Sequence, residues 1–303
     1  MKDQSYDLAV AYRIYPRVSK IPAIFPADKF QLARVCLRSF RESLGNLRVK
    51  VFVLLDGCPR EFDDIFTECF ERSDLELIRL DGVGNRRTFA KQIDVLLQQQ
   101  CAEAVYFAED DYFYLPSQFE QMLHFLWTVS DADFITPYDH PDYYTLPLHG
   151  AAQEDRRIDG QCWRTAASTC LTFLTTKKTL AENRRILRTY TYGNLDVSLW
   201  LSLTKQAVFD PGIVRKCLAQ RAALGGFVAI SWLYGWPQIL SGSKRKIWVP
   251  VPSIATHTEK RFLAPGVDWE PLFGEAARAL KPRATSTVQL ISKTSNPQIA
   301  EVI

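Results

Sequence analysis

Three consecutive acidic residues, Glu109, Asp110 and Asp111, are the part of the sequence best suited to chemistry. They follow an apolar run, residues 104–108, whose β-branched and aromatic residues are typical of a buried strand. Hard divalent cations prefer oxygen ligands, and Mg²⁺ is often shared between one or two carboxylates and substrate phosphates. The triplet therefore indicates either a metal site at the end of a strand or a solvated acidic turn.

Length, charge and cysteine content exclude some classes of protein but do not identify the function. The chain has 303 residues with 47% hydrophobic and 23% charged residues, values ordinary for a globular protein of one or two domains. Its formal charge of +3 is too small to favour a nucleic-acid partner. The seven cysteines are odd in number, widely spaced and without a C-x-x-C pair, which predicts reduced thiols in a cytosolic protein.

Strands and helices alternate through the first part of the chain. Apolar runs predict strands at residues 6–14, 49–55, 75–80 and 104–108, and helical periodicity predicts helices at 30–44, 61–72 and 88–100. This alternation predicts a parallel sheet with right-handed crossovers, and ligands of such sheets lie beyond the carboxyl ends of the strands. Asp56, the loop at residues 82–87 and the acidic triplet should therefore line one crevice.

The alternation weakens after Pro116. The pattern there predicts a helix at 117–129 capped by Ser117, a short strand at 134–136, and a polar, aromatic loop at 137–157. The remaining expected elements are one or two strands within 163–175, helices at 180–189 and 196–205, a strand at 247–251, and a polar loop at 255–261.

The longest apolar stretch, residues 225–240, is interrupted by glycine and proline and is too short to span a bilayer. It contains Trp232, Tyr234 and Trp236. Two interpretations stay open for it: a buried core segment, or a membrane-interface or acceptor-binding surface.

Taken in order, these features resemble a GT-A glycosyltransferase of the large glycosyltransferase family 2 type. The matching features are the first strand, Asp56-Gly57 after the second, a Gly-Asn-Arg loop before a helix, the acidic strand end, and a later Asp and His. The resemblance covers roughly residues 6–262. It implies an α/β fold with a GT-A (Rossmann-like), mixed and mainly parallel central sheet flanked by helices, followed by a C-terminal acceptor-side region.

The resemblance also implies roles for single residues on the donor side. Asp56 matches the acid that holds the base or ribose of a nucleotide. The other residues expected at the nucleotide sugar are Tyr12, Arg13, Gly84, Asn85, Arg86, Glu109 and Asp110. Asp111 matches the main ligand of a Mn²⁺ or Mg²⁺ ion, although the first acid of this triplet is Glu where the family motif has Asp.

Later residues complete the implied site. Asp196 matches the catalytic base of inverting members, although the family's acidic pair is here Leu195-Asp196. His257 matches a late metal ligand, and Lys260 and Arg261 would lie near the diphosphate. From the residues alone, each of these also has a purely structural interpretation. Asp196 could complement the dipole at a helix N-terminus, and Asp56 could be a turn residue before glycine. His257 could make an ordinary hydrogen bond in a loop.

The leading hypothesis is a metal-dependent, inverting transfer of a sugar from a nucleotide-diphosphate sugar to a glycan or lipid-linked acceptor. Residues 1–116 would bind the nucleotide sugar, residues 117–280 the acceptor, and residues 281–303 would form a poorly ordered tail. A cytoplasmic location, with peripheral association at the inner face of a membrane, is expected. The alternatives are a catalytically silent nucleotide- or glycan-binding module, and a nucleotidyltransferase, which the absence of a Gly-rich phosphate loop disfavours.

Overall fold

A computed structural model describes residues 6–18, 21–150 and 153–280. Its strands are β1 (Leu8–Ile14), β2 (Val49–Asp56), β3 (Leu75–Leu80), β4 (Ala104–Glu109), β5 (Tyr112–Tyr114), β6 (Phe134–Ile135), β7 (Asp155–Ile158), β8 (Gln161–Ala166), β9 (Phe173–Thr176), β10 (Ile247–Val251) and β11 (Ala255–His257). Its α-helices are α1 (Lys29–Ser43), α2 (Glu61–Cys69), α3 (Asn85–Gln98), α4 (Phe119–Thr128), α5 (Lys177–Arg188), α6 (Asp196–Thr204), α7 (Pro211–Gln220), α8 (Ala222–Ser241) and α9 (Trp269–Ala279).

A nine-stranded mixed sheet forms the centre of the fold, in the order β3-β2-β1-β4-β9-β6-β10-β8-β7. The first four strands in this order are parallel to one another. Beyond β4 the sheet continues through the antiparallel strand β9, and β6 pairs in parallel with β10. The predicted fold class, a Rossmann-like α/β arrangement with a large central sheet flanked by helices, is confirmed.

Side chains of β1 alternate between the two faces of this sheet. Val10 and Tyr12 pack in the cluster that includes residues of α1, α2, α4 and α9. Ala9 and Ala11 pack in the opposite cluster, with residues of α3, α5 and α6. Because successive residues of a strand point to opposite faces, a fully buried β1 supplies both layers of the core.

Several predicted elements have different bounds. The predicted helix at 88–100 begins earlier, at Asn85, so Asn85 and Arg86 lie in its first turn. Ser117 does not cap α4: the N-cap residue is Gln118, and the Ser117 N–H instead donates to the carbonyl of Glu42. The predicted loop at 255–261 contains β11, which pairs with β5 in a small antiparallel sheet.

The division of the chain at residue 116 stays a prediction, and the predicted tail at 281–303 lies outside the described residues. Among the helices of the described ranges, none combines the length and the apolar character needed to cross a membrane.

Candidate active site

A cavity of about 910 Å³ opens at the carboxyl ends of β1, β2 and β4. Asp56, Gly84 and the three consecutive acids at the end of β4 all line it. These residues come together because β1, β2 and β4 are adjacent parallel strands and therefore end at the same edge of the sheet. The structure thus brings together the chain segments that the sequence places in one crevice.

Asp56 is buried and holds the loop that precedes α3. Its two carboxylate oxygens accept hydrogen bonds from the backbone N–H groups of Val83 and Gly84, at 2.7 and 2.8 Å. Gly84 has φ of +83°, a conformation that costs a residue with a Cβ atom steric energy. Asp56 therefore fixes the shape of the loop wall, in addition to lining the cavity.

Arg13 is buried at the end of β1 and connects two walls of the cavity. Its guanidinium forms an ion pair with Glu109, and it donates to the backbone carbonyl of Asn85 at 3.2 Å. Glu109 also accepts from the Thr172 hydroxyl at 2.7 Å, and the Asn85 amide donates to the Tyr190 hydroxyl at 3.1 Å. This network fixes Glu109 and the first turn of α3 relative to each other.

Asp110 is paired with Lys29, the first residue of α1. Their charged atoms lie 2.8 Å apart, and the second oxygen of Asp110 accepts from the Tyr15 N–H at 2.9 Å. Burial lowers the pKa of Lys29, but attraction to Asp110 and Asp111 and the hydrogen bond to Asp110 together outweigh burial, so the net shift is upward and Lys29 stays charged. Lys29 therefore balances the charge of Asp110, and the Asp110 side chain holds the loop after β1.

Asp111 faces His257, which β11 brings beside it. His257 is opposite Tyr112 in the β5–β11 pair, and its Nε2 lies 3.1 Å from Asp111 Oδ2. Burial raises the pKa of Asp111, but His257, Lys29 and Arg13 together outweigh burial, so the net shift is well below the usual range. Asp111 Oδ1 is buried and has no hydrogen-bond partner within the described residues.

The orientation of the His257 ring assigns its proton. Nδ1 accepts a hydrogen bond from the Glu259 N–H at 3.0 Å, so Nε2 carries the hydrogen that is donated to Asp111. Binding a metal through Nε2 would move this proton to Nδ1 and break the bond to Glu259. In this arrangement the Asp111 carboxylate is the better preformed ligand of the two.

Among the described residues, carboxylates outnumber lysine and arginine side chains along the cavity wall. Six of them line it: Asp56, Glu109, Asp110, Asp111, Asp142 and Asp196. The arginines lining it are Arg13 and Arg17. Glu109 is paired with Arg13 and Asp110 with Lys29, so the excess negative charge comes from Asp56, Asp111, Asp142 and Asp196. This charge repels an anionic ligand unless a cation accompanies it.

Asp196 is the first residue of α6 and lines the cavity from a different element than the acidic triplet. One of its oxygens accepts from the neighbouring Val197 N–H at 2.8 Å, which also suits a carboxylate at a helix N-terminus. Its role as a base stays a prediction.

A second part of the cavity wall comes from the segment after β6. Tyr138, Tyr143 and His149 line it, whereas Tyr144, also in this segment, is exposed. A buried ion pair between Asp139 and Arg164 holds the segment against β8. Burial lowers the pKa of His149 to about 3, so its imidazole is neutral and its buried Nδ1 is without a hydrogen-bond partner in the described residues.

Four predicted nucleotide-sugar residues do not line this cavity. The structure corrects the expectation for Tyr12, whose ring is buried between Phe40 and Phe66 on the opposite face of β1 from Arg13. Arg86, Lys260 and Arg261 are exposed and outside the lining, so their proposed contacts with the donor stay predictions.

Sequence reasoning missed Lys29 and most of the second part of the wall. Lys29 directly precedes the predicted helix at 30–44, and nothing in the local pattern there indicates a buried partner. The two histidines of residues 137–157 and the aromatic residues near them were a usable signal, because polar and aromatic side chains are concentrated there. Tyr138 and Tyr143 of this segment line the cavity, as does Tyr190.

No protein-family model matches the sequence, and no curated protein matches it either. Among solved structures, an active-site variant of LgtC aligns with 56% of this chain at a TM-score of 0.33 and 10% identity. The alignment spans 58% of the LgtC chain. The 4-diphosphocytidyl-2C-methyl-D-erythritol synthase of Anaerococcus prevotii DSM 20548 aligns with 68% of this chain and 85% of its own, with a TM-score of 0.39 and 9% identity.

Similarities at these scores have no bearing on the reaction. The resemblance to glycosyltransferase family 2 accordingly stays a prediction, and functional conclusions depend on the geometry of the cavity.

Proposed function

We propose that this chain is a metal-dependent glycosyltransferase, acting on a nucleotide-diphosphate sugar and transferring the sugar, with inversion, to a glycan or lipid-linked acceptor. The main support is the cavity wall, where Asp111 has an unpartnered oxygen among six carboxylates. An anionic diphosphate would enter such a cavity only together with a cation.

The side chains available as metal ligands fit a cation that also binds the phosphates of the substrate. Within the described residues, no group of three or more His, Cys, Asp or Glu side chains is arranged to hold a metal ion by itself. Asp111 Oδ1 supplies one oxygen ligand, and His257 is placed to supply a second after its proton moves. Mg²⁺ commonly keeps water ligands and binds through one or two carboxylates plus phosphate oxygens.

When bound, Mn²⁺ or Mg²⁺ would stabilise the negative charge that grows on the departing nucleoside diphosphate. The chain's own residues would orient the donor around it. Arg13 holds Glu109 and Asn85 in fixed positions, and Asp56 holds the glycine loop beside them. This preorganised wall would bind the nucleotide without rearranging the backbone.

Asp196 would accept the proton of the attacking acceptor hydroxyl. An inverting displacement needs a base on the face opposite the leaving group, and Asp196 belongs to α6, a different element from the strand end that carries the acidic triplet. The acceptor side would be formed by the second part of the wall, with Tyr143 and His149. Neutral His149 offers a hydrogen-bonding group for a sugar hydroxyl there.

The test is release of nucleoside diphosphate from a panel of UDP-, GDP-, CDP- and dTDP-sugars, with Mn²⁺ and with a chelator. We expect turnover of one donor class with Mn²⁺, its loss in Asp111→Asn, and its retention in Asp64→Asn, an exposed acid on α2. Equal turnover by Asp111→Asn and the unaltered chain would refute the metal assignment. Nucleotide binding without any turnover would favour a silent binding module instead.

A further inference from the structure

The α8 helix has apolar residues on its exposed face as well as on its buried face. Its buried residues pack against α6 and α7, and they are Leu224, Gly225, Val228, Ser231, Gly235 and Ile239. On the opposite side, Leu233, Trp236 and Leu240 are 69%, 56% and 62% exposed. Ala222 and Ala229 continue the same line of the helix and are also exposed.

This exposed line follows helical spacing. Positions 222, 229, 233, 236 and 240 are separated by three, four or seven residues, so they lie on one side of the helix. The 20-residue helix is about 30 Å long and contains no charged residue. An apolar surface of this length facing away from the core marks an interaction site.

Along the sequence, basic residues precede and follow α8. Residues 211–246 contain six lysines and arginines and no aspartate or glutamate. Arg245 and Lys246 pair with acids of other elements. Arg215, Lys216, Arg221 and Lys244 are exposed and form no ion pair within the described residues.

We propose that the exposed face of α8 binds the surface of an anionic lipid bilayer. A helix with apolar side chains on its outer face and basic residues around it lies in the membrane interface, with leucine and tryptophan inserted and the cations at the headgroups. The helix lies on the bilayer and does not cross it, consistent with its fixed packing on α6.

Self-association through the same surface is disfavoured by charge. A parallel or antiparallel two-fold contact between copies of α8 would place the cations at the ends of one helix near those of the other. These cations would repel one another, because residues 211–246 contain no carboxylate to pair with them. An anionic lipid surface satisfies both the apolar line and its flanking charges.

Packing connects this surface to the cavity. The Ser198 hydroxyl of α6 donates to the carbonyl of Phe227, and Phe227 lines the cavity from α8. A Cβ atom at Gly235 would lie 2.1 Å from Ser202 Oγ, so the two helices are in close contact. A membrane-bound α8 would thus hold Asp196 near lipid-linked acceptors; this consequence rests on the proposed function, whereas membrane binding does not.

The experiment is co-sedimentation of the full chain with phosphatidylcholine vesicles, with and without phosphatidylglycerol. We expect binding to the anionic vesicles, a weaker binding at high salt, and at least a tenfold lower partition coefficient for Leu233→Ser/Trp236→Ser. Lys216→Gln/Arg221→Gln should also bind at least tenfold more weakly, since each basic residue near the surface contributes about a fivefold factor.

Matched control variants distinguish binding through α8 from nonspecific binding of the chain to vesicles. Trp127→Ser changes a tryptophan of α4 that is 57% exposed, and Arg60→Gln/Arg72→Gln removes two exposed cations near α2. Both controls should bind like the unaltered chain, and circular dichroism should show that all variants fold.

The proposal would be overturned if neither vesicle type bound the chain, or if the α8 variants bound as well as the controls. It would also be overturned by dimerisation in the absence of lipid that Leu233→Ser/Trp236→Ser abolishes. Vesicle binding needs no donor or acceptor, so an inactive enzyme would leave the result unaffected.

Discussion

Asp111 and His257 form a pair 3.1 Å apart, although they come from distant parts of the chain. Asp111 ends the acidic triplet after β4, and His257 ends β11, which pairs with β5 directly after that triplet. The small β5–β11 sheet therefore places His257 beside the carboxylate that we propose as the metal ligand. Asp111 Oδ1 has no hydrogen-bond partner within the described residues, and Asp111 lines the cavity together with five other carboxylates.

The first prediction concerns Asp196. Asp196→Asn should lower the rate of sugar transfer about 10²–10⁴-fold, which is the usual contribution of a general base. Affinity for the nucleoside diphosphate should stay within error, because Asp196 lies on α6 and not on the donor wall. Steady-state kinetics and calorimetric titration check the two quantities, and unaltered transfer by this variant would exclude the base role.

The second prediction concerns the buried ion pair that holds the second part of the wall. Asp139→Ala leaves Arg164 buried without its partner and should lower the free energy of unfolding by about 3–5 kcal/mol. Glu42→Ala, which breaks the exposed pair with Arg38, should cost about 0.5 kcal/mol or less. Urea unfolding measures both, and equal losses would contradict the importance of the buried pair.

The third prediction concerns Gly84, whose φ is +83°. Gly84→Ala should destabilise the chain by about 1–2 kcal/mol, since a Cβ atom is unfavourable in this conformation. Gly274→Ala, in α9 with no heavy atom near the added Cβ, should stabilise it by about 0.5–1 kcal/mol. Urea unfolding should therefore show changes in the free energy of unfolding that have opposite signs for the two variants. An unaltered free energy of unfolding in Gly84→Ala would show that the loop adapts to the added Cβ atom.

The fourth prediction is a pH dependence of stability from His149. Its pKa in the folded chain is about 3 against an ordinary 6.5, so below pH 6.5 the unfolded chain binds a proton that the folded chain does not. Stability therefore falls as the pH drops, and His149 should account for about 2 kcal/mol between pH 7 and 5.

The test compares His149→Gln with the unaltered chain by urea unfolding at pH 7, 6 and 5. The variant should lose less stability on acidification. Besides burial, His140 and Arg164 lower the pKa of His149, and neither is altered in the comparison. Parallel pH curves for both chains would show that the imidazole is charged in the folded chain.

Much of the cavity wall at the strand ends was predictable from sequence, because adjacent parallel strands must end at one edge. That rule places Asp56 beside the acidic triplet without any knowledge of side-chain contacts. The rule does not say which face of the sheet a side chain is on. Neighbouring residues of a strand point to opposite faces, so Arg13 lines the cavity and Tyr12 does not.

The parts that were missed depend on distant contacts. Lys29 reaches Asp110 across the fold, and the second part of the wall is held by the pairing of Asp139 with Arg164. The helix at 222–241 was obscured by its glycines and Pro237, which local propensity disfavours but packing against α6 tolerates. Local sequence patterns do not predict contacts between residues that are far apart in the sequence.

The most direct test of a cation shared between Asp111 and a diphosphate is a thermal-shift matrix. UDP, GDP, CDP and dTDP would each be added with Mn²⁺, with a chelator, and to the Asp111→Asn chain. A ligand that binds the folded state raises the melting temperature by mass action. We predict that one nucleotide stabilises the chain only with Mn²⁺ and that Asp111→Asn abolishes this gain. An equal shift with the chelator, or an unaltered shift in Asp111→Asn, would contradict it.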